Sequence, residues 1–288
     1  MYRVKLRRMS LLHIRLRQWS GFMHFYRKAQ TLYDVHSPYV ARFISEVLED
    51  NRQYYAFPSI EGYRKQLLEN HDPLIIQDLG AGSQISDASS RPISDLARHT
   101  PVSPRIGRLL FRLVHFHRPQ HLLELGTSLG ISGMYQAAAA ASKPFWTIEG
   151  NPASAKFAQR QFRRIGLLNT QVYNDPFEKA LPALLDQMDQ LDYAFVDGNH
   201  RYEPTEKYVN WMLAKVHSGS MIVLADIYWS NEMRAVWDTL RHRPEVRASI
   251  DLYEVGLLLF RTEFTEQQHW TLVPRAWKPW HLGLRAPR

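Results

Sequence analysis

The sequence contains no cysteine. Disulfide bridges, thiolate zinc sites and cysteine-ligated iron–sulfur clusters are therefore excluded, and cluster-dependent radical chemistry with them. Long apolar runs are missing as well: no stretch reaches the ~18 residues that signal a membrane-spanning helix. The N-terminus also lacks the uninterrupted apolar core of a secretory signal. A soluble, cytoplasmic protein is the expectation. Acidic residues are absent from residues 1–30, which carry Arg3, Lys5, Arg7, Arg8, Arg15, Arg17, Arg27 and Lys28. That segment accounts for the whole formal charge of +8. The rest of the chain is neutral and offers no global field for a polyanion, so no specific nucleic-acid partner is expected. Leu, Ile, Trp and Phe interleave with the basic residues of 1–30, as in an amphipathic helix suited to peripheral contact with an anionic membrane. Nothing in the sequence specifies an oligomeric state.

What is present describes a globular body. The 288 residues are 45% hydrophobic and 12% aromatic, enough for one large domain with an accessory segment. Residues 121–133, HLLELGTSLGISG, organise it. The apolar run at 122–125 reads as a buried strand, Gly126 to Gly130 as a tight turn, and Ile131 onward as a helix running through the alanines at 137–141. A strand passing through glycines into a helix N-terminus leaves backbone N–H groups unpaired where a nucleotide-type ligand can sit. A second strand at 145–148 ends in Glu149, 23 positions after Gly126. That is near the ~20 residues at which a nucleotide-binding fold places the carboxylate for the ribose hydroxyls.

With these residues the chain resembles the class I S-adenosylmethionine-dependent methyltransferases over roughly residues 105–262. Glu124-Leu-Gly126-Thr-Ser-Leu-Gly130 is similar to their first motif, and Glu149 to their ribose-binding acid. The resemblance implies an α/β, Rossmann-like fold: a seven-stranded, mostly parallel sheet with an antiparallel last strand, here preceded by a helical N-terminal cap. It implies a cofactor site built from Glu124, Gly126, Thr127, Ser128, Gly130, Glu149, Asp175 and Asp197. Asp175 enters as the residue after the third strand that holds the adenine amino group, with Pro176 and Phe177 beside the ring. The Gly-x-x-x-Gly spacing sets it apart from Gly-x-Gly-x-x-Gly folds, which leaves an NAD-binding oxidoreductase as the second reading. A noncatalytic protein acting through the basic N-terminus is the third.

The fourth strand, 191–197, leads into Asp197-Gly198-Asn199-His200-Arg201-Tyr202. Asp-Gly-x-His-x-Tyr resembles a subgroup with O-methyltransferase relatives. His200 is the residue here whose unperturbed pKa lies near neutrality, which makes it the candidate base for a substrate hydroxyl, with Asp197 orienting it. Tyr202 and Asp226 are weaker candidates. Metal-dependent catechol-type relatives use the fourth-strand Asp and an Asp-Asn pair after the fifth strand to bind magnesium. Asp197 and Asp226 match, but Ile227 replaces the Asn, so a Mg²⁺ site is the lesser expectation.

Four segments are predicted: a basic extension, 1–30; a cap, 31–104; the methyltransferase domain, 105–262; and a tail, 263–288. In the cap, Ser37-Pro38 and Ser103-Pro104 have the form of helix N-caps. A further helix is predicted over 60–69. His36 and Tyr39 are candidates for contact with a small-molecule methyl acceptor. A second acid-glycine stretch, Asp78 to Gly82, follows an apolar strand, but polar residues follow it in place of a helix. It is expected to be an accessory hairpin or lid.

Overall fold

The computed structural model describes residues 19–76, 89–99 and 102–279. The Asp78 to Gly82 stretch and residues 1–18 lie outside them. Ten strands are described: β1 (Pro73–Ile76), β2 (Ser89–Pro92), β3 (Leu122–Leu125), β4 (Phe145–Ile148), β5 (Thr170–Tyr173), β6 (Leu191–Val196), β7 (Val216–Ala225), β8 (Ala248–Asp251), β9 (Val255–Leu259) and β10 (Gln268–Thr271). Strands β3 to β10 form one sheet in the order β10-β8-β9-β7-β6-β3-β4-β5. β9 is antiparallel to both β7 and β8, and the other pairings are parallel.

The sheet exceeds the expected seven strands by one. The tail supplies β10, which pairs in parallel with β8 and covers an edge that would otherwise present unpaired backbone groups. The bond between Ser249 Oγ and His269 Nδ1, at 2.7 Å, ties the two strands laterally.

Both faces are buried, as the near-continuous apolar strands require. Alternate residues point to opposite sides, so Leu122, Phe145, Tyr193 and Val223 enter one core cluster while Leu123, Ile148, Ala194 and Leu224 enter the other. The first cluster packs against helices Pro104–His117, Ile131–Ala139 and Pro152–Arg164, and the second against Phe177–Asp186, Tyr202–Leu213 and Asn231–Arg241.

Helix starts follow local chemistry. Ser37, Ser103, Asn151 and Ser230 each accept a bond from the backbone N–H three residues on, with Pro at the first turn in the first three. The predicted helix at 60–69 begins earlier, as Ala56–Glu69. It joins Pro38–Phe43 and its continuation Ile44–Leu48 in the first core cluster. These helices brace one face of the sheet. β1 and β2 make a separate antiparallel pair leading into helix Ile93–His99.

Residues 19–28 are helical, but the apolar face expected to meet a membrane is turned inward. Phe25 and Ala29 are buried with Val273, and Phe22 and Tyr26 pack beside them against Tyr228 and Tyr253. Among the described residues no helix is long and apolar enough to cross a membrane.

Candidate active site

The sheet's chain order reverses between β3 and β6, and there a cavity of about 620 Å³ opens at the strands' carboxyl ends. Gly126 has φ +100 and stands so close to β6 that a Cβ would lie 2.1 Å from the carbonyl oxygen of Asp197. Only glycine allows both that backbone and that approach. Gly130, φ +84, caps helix Ile131–Ala139, and between them Ser128 also has positive φ, 49°. The loop thus lines the cavity beside the helix N-terminus, held by its own amides: the Gly126 N–H donates to the Ile148 carbonyl at 3.0 Å and the Gly130 N–H to the Thr127 carbonyl at 2.8 Å.

Glu149 sits across from this loop. Its Oε2 accepts from the Ser128 N–H at 2.8 Å and its Oε1 from the Asn151 N–H at 2.8 Å. Burial raises its pKa, and the two N–H donors oppose that rise. Each oxygen retains a further lone pair toward the cavity.

Glu124 does not line the cavity. It is fully buried beneath the loop, where Gln136 Nε2 and Thr147 Oγ1 each donate to it at 2.7 Å. Thr127 Oγ1 lies 2.6 Å from Thr147 Oγ1 and so joins the loop to this carboxyl. Glu124 is raised to about 7: burial lifts it against hydrogen bonds from Thr147, Ser132 and Gln136, and Glu149 adds to the rise. The strand pleat explains the difference from expectation: this position faces the first core cluster under the helix, and the turn above it is what meets the cavity. Asp175 also stays off the cavity wall, because its carboxylate pairs with Lys179 at 2.8 Å. Pro176 and Phe177 do line it.

At the other end stand Asp197, His200 and Asp226. His200 Nε2 is 3.5 Å from Asp197 Oδ1, and its Nδ1 is 4.0 Å from Asp226 Oδ2. One ligand atom from each of the three falls within 4.8 Å of the others, a spacing that a cation can bridge. Burial lowers the His200 pKa, and the Asp226 carboxylate raises it in part. Asp197 is pushed well above the usual carboxylate range by burial, by Asp226 and by Glu124. Burial also raises Asp226, and His200 opposes the shift. Asn199 and Asp226 have φ 61 and 55. Non-glycine residues in the left-handed region gather here as they do at functional sites.

Three candidates lie elsewhere. His36 and Tyr39 line a separate groove with Arg42, Arg261 and Glu263. Arg261 follows antiparallel β9, so this groove is at the end of the sheet opposite the cavity. Tyr202 turns into the second core cluster, its hydroxyl 3.0 Å from Thr239 Oγ1. The capping fold directs each of them: Ser37-Pro38 starts a helix that braces the far side, and Tyr202 opens a helix whose inner face is core.

Sequence reading missed other wall residues. Tyr208 comes from the second turn of its helix, its hydroxyl donating to Glu178 and accepting from Asn199. Trp229 projects beside Asp226, and Leu96 and Val102 reach over from the accessory segment. Helical periodicity marks Tyr208 as core and gives no hint of a mouth. For Trp229 a signal existed, a large aromatic next to a strand-end acid.

Residues 123–227 match a protein-family model described as "Methyltransferase domain". A catechol O-methyltransferase of Niastella koreensis is 28% identical over 174 residues, covering 59% of this chain and 73% of that protein. Among solved structures, a putative O-methyltransferase from Klebsiella pneumoniae aligns with TM-score 0.54 at 15% identity, over 76% of this chain and 94% of that one. The O-methyltransferase TomG from Streptomyces achromogenes, solved in complex with SAM, aligns with TM-score 0.53 at 19% identity over the same shares. An O-methyltransferase from Bacillus cereus in complex with SAH gives 0.52 at 18% identity, over 77% and 97%. At these identities the solved structures speak to the fold alone. The matched residues 123–227 include the glycine loop, Glu149 and the Asp197 to Asp226 cluster, and they form a methyltransferase domain similar to those of the S-adenosylmethionine-dependent O-methyltransferases.

Proposed function

We propose that the chain methylates a hydroxyl oxygen on a small aromatic acceptor, with His200 taking the hydroxyl proton. The observation that carries this reading is one cavity with the glycine loop and Glu149 at one end and an imidazole between two carboxylates at the other. S-adenosylmethionine supplies a methyl group on a sulfonium, whose departure as a thioether needs no acid from the protein. The chain's share is to bind, align, exclude water and remove a proton.

The residues fit that cofactor. The free lone pairs of Glu149 suit two ribose hydroxyls, and the Gly126 to Gly130 loop at the start of helix Ile131–Ala139 suits the methionyl part. Phe177 offers a ring face for adenine. Glu124 braces the loop through Thr147 and Thr127, and Asp175 has no contact role in this reading. Residues 105–262 carry the reaction, while 31–104 brace the sheet and close part of the cavity.

Base strength favours a phenol. A buried imidazole whose pKa is depressed takes a proton far more readily from a phenolic hydroxyl, about 10 for tyrosine, than from an aliphatic one, which is as weakly acidic as water. Trp229 gives the acceptor end of the cavity an exposed aromatic wall on which a flat acceptor can stack. The relative named for catechol methylation points the same way.

Magnesium fits poorly. It demands near-octahedral oxygen ligands, whereas this cluster mixes two carboxylates with a ring nitrogen, and Ile227 is buried in the second core where a further oxygen would be needed. No step is routed through a metal. Methyl transfer is expected to survive EDTA unchanged; loss of rate restored by Mg²⁺ would contradict this.

The direct test is transfer of labelled methyl from S-adenosylmethionine to paired acceptors, catechol against trans-cyclohexane-1,2-diol. Turnover of the aromatic member alone is expected. Equal turnover of the saturated diol, or transfer that is indifferent to His200, would sink the reading. For Glu149→Gln, about 10- to 100-fold weaker cofactor binding is expected, since hydrogen bonds to a charged group each contribute ~1.5–3 kcal/mol. Equilibrium titration with S-adenosylhomocysteine checks it.

A further inference from the structure

The turn after β7 is fixed from several sides. The Asp226 N–H donates to the Glu254 carbonyl at 2.7 Å, which ties this turn to the one between β8 and β9. The Trp229 N–H donates back to the Asp226 carbonyl at 2.8 Å. Ile227 is buried, and the Tyr228 hydroxyl donates to Asp251 Oδ2 at 2.8 Å. With its neighbours held inward, Trp229 is held outward, 58% exposed, on the wall of the cavity that contains His200.

The outer side of that turn is covered by the helix at residues 19–28. The Phe25 ring meets Tyr228 edge-on at 6.1 Å and Tyr253 at 5.4 Å, and Phe22 meets Tyr253 at 5.2 Å. Tyr228 and Tyr253 themselves are 4.7 Å apart, so one aromatic cluster clamps both turns. The helix is tied down at its end: the Gln30 N–H donates to Thr271, the Val273 N–H to Gln30, and Lys278 Nζ to the Ala29 carbonyl. Phe25 is 1% exposed.

We propose that this N-terminal helix is a positioning element for the acceptor side of the cavity: through Phe25 and Tyr228 it sets Asp226 against His200 and holds Trp229 on the wall. This rests on the methyl-transfer reading and goes beyond it, giving a catalytic consequence to a segment whose composition suggested a surface extension. Phe25 touches neither acceptor nor cofactor and acts through Tyr228. The rings of the clamp, Phe22, Phe25, Tyr228 and Tyr253, come from outside β3 and β4, on which the cofactor end is built.

The test uses the full chain with Phe25→Ala, Phe25→Leu and, as a control on the same helix, the exposed Trp19→Ala. S-adenosylhomocysteine affinity is measured by calorimetry, and KM, kcat and their pH profiles with catechol as the probe. For Phe25→Ala, cofactor affinity should stay within about twofold while kcat/KM for catechol falls tenfold or more. The acid limb of the profile should move to lower pH, because His200 loses the carboxylate that raises it. Phe25→Leu should recover most of the loss, and Trp19→Ala should match wild type. Should Phe25→Ala not fold, Phe25→Leu decides, with a threefold or greater rise in KM at unchanged cofactor affinity. Unchanged catechol kinetics would overturn the proposal, as would cofactor affinity falling in step with kcat/KM, the mark of a merely structural role. Failure of S-adenosylhomocysteine to bind wild type would instead bring down the methyl-transfer reading on which this stands.

Discussion

Replacing His200 with alanine is expected to lower kcat/KM for a phenolic acceptor by ~10²–10⁴-fold, the usual contribution of a positioned general base. Cofactor affinity should be unchanged, because His200 lies at the opposite end of the cavity from Glu149. The sign of the pH dependence follows from the environment. Burial lowers the His200 pKa below its ordinary 6.5, so the imidazole is neutral, and able to accept a proton, down to a more acidic pH than a free histidine. Wild-type kcat/KM should rise through an acid limb below 6.5 and be level at neutrality. His200→Ala should remove the limb together with the rate. Asp226→Asn removes the carboxylate that raises His200, so the limb should move to still lower pH. A wild-type profile still climbing through pH 8 would contradict the assignment.

The second large effect belongs to Gly126→Ala. The new methyl would stand 2.1 Å from the Asp197 carbonyl oxygen at a φ of +100, so backbone must move at the meeting point of β3 and β6. The left-handed region alone costs an L-residue roughly 1–2 kcal/mol. The overlap adds to that, and the displaced loop carries the Ser128 N–H that orients Glu149. Cofactor affinity is expected to fall at least about 100-fold, on the order of 3 kcal/mol, with a lower Tm. Gly62→Ala is the control: within helix Ala56–Glu69 an added Cβ meets nothing within 4 Å, and ~0.5–1 kcal/mol of stabilisation is expected. Calorimetry and thermal melts on the two variants check both signs.

The sheet from β3 to β9 was legible because its signals are local. Apolar runs, glycine turns and capped helices alternate at regular spacing, and parallel topology follows from that alternation. β10 was not legible, since Gln268–Thr271 is a short polar edge strand whose pairing depends on where β8 ends. At the site, glycine requirements and strand-end acids carried Gly126, Gly130, Glu149, Asp197 and His200 into one cavity, because positions after a strand's carboxyl end share a location by topology. Glu124 and Asp175 departed because motif adjacency does not say which way a side chain points. The pleat turns one into the core, and a lysine one helical turn on captures the other. Tyr208, Leu96 and Val102 come from helix faces and a distant segment, and no short-range pattern announces such convergence. For residues 19–29, amphipathicity was read correctly while its partner was not, because an apolar stripe looks the same whether it meets lipid or the protein's own aromatic turns.

The account's central claim is that Glu149 and the Gly126 to Gly130 loop form an S-adenosylmethionine site. Calorimetric titration of S-adenosylhomocysteine and NAD into wild type and Glu149→Ala tests it most directly. The account predicts that S-adenosylhomocysteine binds wild type with one-to-one stoichiometry, that its affinity drops at least tenfold in Glu149→Ala, and that NAD does not bind. Failure of S-adenosylhomocysteine to bind, binding indifferent to Glu149, or preferential binding of NAD would contradict it.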